Sequence, residues 1–119
     1  MATTSALAHR VTDLIAALGL TQDEIGTIVE ASGRSVARWS SGEVVPQRLN
    51  RQRLNRQRLI ELAYVAEQVT TVLPADRANL WIFTPNKLLE HDSPADRIRD
   101  GRYRDVLDLI EAMADGVVV

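Results

Sequence analysis

The side chains best placed for chemistry in this sequence are arginines: Arg48, Arg51, Arg53, Arg56 and Arg58 crowd the stretch QRLNRQRLNRQRL, Gln47 to Leu59, with no acid between them. A guanidinium is planar, permanently charged and forked, which suits it to phosphate oxygens or to the edge of guanine. The competing reading is a solvated helix face. The net charge of −2 conceals how unevenly charge is distributed: residues 1–33 carry −3, residues 34–58 carry +6 and residues 59–119 carry −5. A basic block between acidic flanks is the electrostatic footprint of a local phosphate-binding surface.

Other chemistries find no foothold. His9 and His91 are far apart and have no carboxylate or cysteine at metal-ligand spacing, and the chain has no cysteine at all. There is no Gly-rich phosphate loop, GxSxG elbow or HExxH pair, so no catalytic residue, metal or cofactor is expected. Asp105 and Asp108 are better explained as the first turn of a helix, where carboxylates complement the dipole. No segment approaches the ~20 apolar residues needed to span a bilayer. With no cysteine and no leader-like amino terminus, a cytoplasmic protein without membrane contact is the expectation.

The elements that must position these arginines follow from periodicity. In QRLNRQRLNRQRL the five-residue word occurs twice and begins a third time. At about 100° per residue each copy turns by roughly 140°, so Leu49, Leu54 and Leu59 share no face and form no coiled-coil seam. The repeat is therefore read as a source of charge, an exposed basic lead-in that need not be packed. Upstream, Leu7, Val11, Leu14, Ile15 and Leu18 predict a helix over 5–18, stopped by Gly19. Thr21 and Glu24 form a capping-box signature for a second helix to about Glu30. Ser32 caps a short third helix, with Val36 and Trp39 inward and Arg34, Ser35 and Arg38 outward. Downstream, Leu59, Leu62, Ala63, Ala66, Val69 and Leu73 predict one long helix ended by Pro74. Thr84-Pro85 and Ser93-Pro94 each predict a helix start, with Trp81 in the apolar interior. A last helix, Tyr103 to Ala114, is stopped by Gly116, leaving Val117, Val118 and Val119 as an apolar tail.

Two short helices across a tight turn are the layout of a helix-turn-helix. The stretch LTQDEIGTIVEASGRSVARWSSGEVVP resembles the Xre or phage-repressor type, with Gln22 opening the scaffold helix and Trp39 filling the core. Gly26 stands where that family often has Ala, at a cost of about 1 kcal/mol in a helix interior. Further on, ANLWIFTPNKLLEHDSPADRIRDGRYRDVLDLIEAMADGVVV resembles the toxin-binding domain of the MbcA/ParS/Xre-type antitoxins, partners of RES-domain toxins. The motif is Trp81, Thr84-Pro85-Asn86, Leu89, Ser93-Pro94, Gly101 and the closing Gly116. Against this family one QRLNR looks like a tandem duplication, absorbed where a linker tolerates it.

The resemblance implies an all-α protein in three parts: an Xre-like helix-turn-helix over 1–46, a basic linker and long connecting helix over 47–74, and a small helical toxin-binding domain over 75–119. It implies operator contact through Gln22, Arg34, Ser35, Arg38, Arg48 and Arg51. It implies capture of a cognate RES toxin, an NAD-consuming enzyme, whose NAD-access cleft is covered by Met113, Asp115, Gly116, Val117, Val118 and Val119. A homodimer within a larger hetero-oligomer is expected, because a lone helix-turn-helix reads only a half-site. A stand-alone Xre-like transcription regulator, with a dimerising or ligand-sensing second domain, stays open as the alternative.

Overall fold

The computed structural model describes residues 12–31, 34, 36–37 and 50–116, and every regular element among them is helical. The first helix, α1 (residues 12–16), closes in a turn whose last residue, Gly19, takes the left-handed stop expected of it at φ +72°. Thr21 then opens α2 (Gln22–Val29) with both halves of the capping box in place. Its hydroxyl accepts from the Glu24 N–H at 3.0 Å, and the Glu24 carboxylate accepts from the Thr21 N–H at 2.9 Å. Gly26 is buried in α2 beside Ile25, Ile28 and Val29.

The carbonyls at the end of α2 have no partner within their own helix, and a side chain from far along the chain supplies one. Asn55, only 7% exposed, donates from Nδ2 to the carbonyls of Val29 at 2.5 Å and Glu30 at 3.1 Å. Asn55 belongs to α3 (Asn50–Val69), the helix built from the repeat. The reading of the repeat as charge alone is corrected here: its second copy packs through its asparagine, while Leu54 stays 56% exposed. Hydrophobic periodicity counts apolar side chains and is blind to an amide that caps another helix. Asn55→Ala is expected to cost about 1–3 kcal/mol, since it strands buried carbonyls. Deleting Gln47–Arg51 is expected to cost less than this, because the repeat restores the same word, QRLNR, ahead of Gln57 and keeps Asn55. Equal urea midpoints for the two variants would contradict this assignment.

The inner face of α3 buries Leu59, Leu62, Ala63, Ala66 and Val69, as the spacing requires, together with Val65. The helix stops at Val69, short of Leu73, which instead packs against the core from the following turn. Thr70 donates its hydroxyl to the carbonyls of Ala66 and Glu67, and Thr71 to that of Gln68, while Pro74 disfavours helical geometry at Leu73.

The rest comprises α4 (Ala75–Phe83), a 3-10 turn (Lys87–Leu89), α5 (Pro94–Arg99) and α6 (Tyr103–Ala114). Thr84-Pro85 does not start a helix. Thr84 closes α4 by donating its hydroxyl to the Leu80 carbonyl at 2.6 Å, and the 3-10 turn is capped by Asn86, whose Oδ1 accepts from the Leu88 N–H at 2.9 Å. Ser93-Pro94 does start one, with a capping box closed by Asp96. The Ser93 N–H bond, seconded by the Ser93 hydroxyl and by Arg99, holds the Asp96 carboxyl below its ordinary value. That contribution is present above the unfolded value of 3.8 and is lost as pH falls through the lowered folded value.

One apolar cluster joins the beginning of the chain to its end: Ile15, Leu18, Ile28 and Val36 share it with Leu62, Ala78, Ile82, Ile98 and Val106. Each fully buried isoleucine here contributes roughly 1.5–3 kcal/mol relative to exposure. A second asparagine ties the halves together, as Asn79 Nδ2 donates to the Leu18 carbonyl at 2.7 Å.

Candidate binding surfaces

Among the expected DNA contacts, Gln22 is exposed at the first position of α2, and Arg34 is exposed on a helical residue two before the buried Val36. Arg51 lies in the opening turn of α3. Ser35, Arg38 and Arg48 lie outside the described residues, as does Trp39. Two arginines of the repeat differ in their surroundings. Arg56 is half-buried, whereas Arg58 is spent within the fold, pairing with the buried Glu61 at 3.0 Å. Glu61 also accepts from Gln57 at 3.0 Å. The Arg58 guanidinium lies over Gly101, where a Cβ would come within 2.6 Å of it and φ is +82°.

At the other end, Met113 is half-buried against the core, and Asp115 and Gly116 are exposed in the turn that closes α6. The Gly116 backbone is left-handed at φ +91°, with nothing within 4 Å of a Cβ placed there. These three residues are brought together at one end of α6. Val117, Val118 and Val119 lie outside the described residues.

Two features escaped the sequence reading. The first is a groove of about 620 Å³ between α4 and the 3-10 turn, with Arg77, Leu80, Trp81, Lys87 and Leu88 among its walls. Leu80 is 70% and Leu88 59% exposed. Trp81, expected in the core, is half-buried and lines this groove, its indole N–H enclosed without an acceptor among the described residues. Of these side chains the sequence placed Trp81 in the interior; the structure leaves it partly covered, with Leu80 and Leu88 exposed in the same groove.

The second is Arg97, a charged residue at 4% exposure. Its Nε donates to Asp92 at 2.9 Å, one Nη to Asp105 at 2.6 Å and the other to the Leu89 carbonyl at 2.6 Å. The bond to Asp105, then those to Asp92, raise its pKa further. This fork fastens the segment after the 3-10 turn to α5 and α6. Among the described residues no cluster of His, Asp or Glu is arranged to hold a metal, and no helix is long and apolar enough to cross a membrane.

Structurally this is an all-helical binding protein, with exposed polar side chains near its start and an apolar groove near its end. The comparisons narrow the class. No family model matches the chain. It is 60% identical to the mycobacterial cidal antitoxin MbcA of Mycobacterium tuberculosis (strain ATCC 25618 / H37Rv) over 113 residues, 95% of this chain and 96% of the relative. The MbcA of Mycobacterium bovis (strain ATCC BAA-935 / AF2122/97) matches equally. The probable mycobacterial cidal antitoxin Rv3188 of M. tuberculosis is 27% identical over 94% of this chain and 91% of its own. Among solved structures, the crystal structure of the M. tuberculosis MbcT-MbcA toxin-antitoxin complex matches with a TM-score of 0.85 and 61% identity, covering 95% of this chain and 97% of that one. The chain belongs to the MbcA family of antitoxins, which are not enzymes.

Proposed function

We propose that this chain neutralises a cognate MbcT-like, RES-domain toxin by covering the cleft through which NAD reaches that enzyme. The observation that carries the proposal is the match along nearly the whole chain to an antitoxin solved together with its toxin. Inhibition of this kind needs no chemistry, only an apolar end that occupies a pocket more favourably than water does. Asp115, Gly116 and Val117 to Val119, carried forward by Met113, suit that role by position. The partnership operates in the cytoplasm, where NAD is consumed.

The same chain represses its own operon as a homodimer within a larger toxin-antitoxin assembly, using Gln22, Arg34, Ser35, Arg38, Arg48 and Arg51 on operator DNA. Exposure of Gln22 and Arg34 and the +6 charge of residues 34–58 support this. Phosphate contacts would supply affinity, and one or two arginines in the groove would supply sequence discrimination.

One preparation tests both roles. The toxin encoded beside this gene should co-purify with the chain and stop consuming NAD when the chain is in excess. Full NAD turnover under those conditions excludes the antitoxin role. On a fragment carrying the operon's promoter, Arg34→Ala with Arg38→Ala should weaken specific binding by about 10-fold or more; unchanged affinity would remove these residues from the interface.

A further inference from the structure

We propose that the groove between α4 and the Lys87–Leu89 turn is the anchor that holds the toxin, separate from the closing valines that silence it. The proposal rests on the antitoxin reading above. Three observations carry it. Leu80 and Leu88, 70% and 59% exposed, line one groove together with Trp81, so large apolar side chains share a surface that nothing covers among the described residues. Such a cluster marks a protein contact more often than a bare surface does.

Position identifies the occupant. Leu88 also lines a second hollow that reaches Leu109 and Ala112, near the end of α6. A protein that receives the residues following α6 in its cleft therefore overlies the groove as well. One partner spans both surfaces.

Charge defines the chemistry of the segment that fills it. Arg77 and Lys87 flank the leucines with no carboxylate within 4 Å among the described residues, whereas Arg97, Arg99 and Arg102 are all paired to aspartates. Two unpaired cations at an apolar groove, in a segment carrying −5, match an apolar stretch of the toxin flanked by carboxylates. The groove then sets affinity, and the tail sets inhibition.

The test uses the full chain and its cognate toxin, with affinity measured by calorimetry and inhibition by NAD consumption. Leu80→Ala with Leu88→Ala should lower affinity by about 30-fold or more, as loss of central apolar anchors does. Arg77→Glu with Lys87→Glu should lower it by about 10-fold and change its salt dependence. Both variants should still silence the toxin fully at saturation and melt like the parent, because all four side chains are exposed. Affinities equal to the parent's overturn the anchor. So does a variant that binds toxin normally but alters self-association of the free chain, which would assign the groove to a second copy. If the parent chain neither captures nor silences the enzyme, the antitoxin reading falls and the anchor with it. If the parent does both and the variants match it, only the anchor falls.

Discussion

A chain ending at Ala114 is expected to fold, to capture its toxin and to leave that toxin fully active. The structural cost of the cut is small. Asp115 and Gly116 are exposed, and the bonds they lose are last-turn bonds, from the Asp115 N–H to Glu111 and the Gly116 N–H to Met113. Stability should change by no more than about 0.5 kcal/mol. The affinity cost is modest for a different reason. Burying three valines gains at most roughly 1.5–3 kcal/mol each, and ordering the tail takes back about 1–2 kcal/mol per residue. Inhibition, by contrast, depends on occupancy of the cleft and not on total binding energy, so the saturated complex should turn over NAD at the rate of free enzyme. Replacing Val117, Val118 and Val119 by serines separates filling from bulk: a polar tail of the same length should block poorly, because it gains little by leaving water. Complete silencing by the shortened chain at saturation would move the plug elsewhere on the surface.

How far the sequence could be read depended on the kind of interaction. The capping box at Thr21–Glu24, the helix start at Ser93-Pro94, the left-handed Gly19 and the apolar stripe from Leu59 to Val69 are local, and each was legible because its cause lies within four residues of its effect. The resemblance to antitoxins was legible for the same reason, through motifs contiguous in sequence. What escaped is non-local. Asn55 reaches back to α2 and Asn79 to Leu18, and an amide in such a role has no periodic signature. Thr84-Pro85 looked like a helix start because capping residue and proline stood in the right order; Asn86, two positions on, took the role, and Thr84 served the preceding helix. The groove was invisible because Leu80 and Leu88 look like core residues until the surface that fails to cover them is known. Conversely, the repeat drew attention to Arg58, yet Glu61, three residues on, consumes its charge.

Arg97→Met is expected to lower the melting temperature on the order of 10–20 °C, more than any surface substitution, because removing one partner of a buried, multiply bonded charge costs far more than a surface change. The guanidinium binds Asp92, Asp105 and the Leu89 carbonyl at once; without it Asp105 keeps only Arg102, the Leu89 carbonyl keeps only the Asp92 N–H, and the Asp92 carboxylate loses its ion pair. Methionine fills part of the space but removes the cation that both Asp92 and Asp105 share, leaving Asp105 with Arg102 alone. The segment they anchor is already costly: Glu90 and His91 are non-glycine residues at φ 56° and 71°, a conformation disfavoured by roughly 1–2 kcal/mol per residue. Only the surrounding bonds hold it there, including the Asn86 N–H to the Asp92 carbonyl at 3.0 Å and the His91 N–H to the Asn86 carbonyl at 2.9 Å. Arg97→Lys should fall between parent and Met, since an ammonium keeps the charge but loses the three-way fork. Adding Asp92→Asn to Arg97→Met should recover part of the loss, because Asp92 is the carboxylate left without an ion pair. Because Lys87 and Leu88 ride on the same segment, amide exchange at Leu89–Asp92 should quicken in Arg97→Met and toxin affinity should fall with it, even well below the melting transition. A variant that melts within a few degrees of the parent, with unchanged exchange, would show that this fork does not hold the segment.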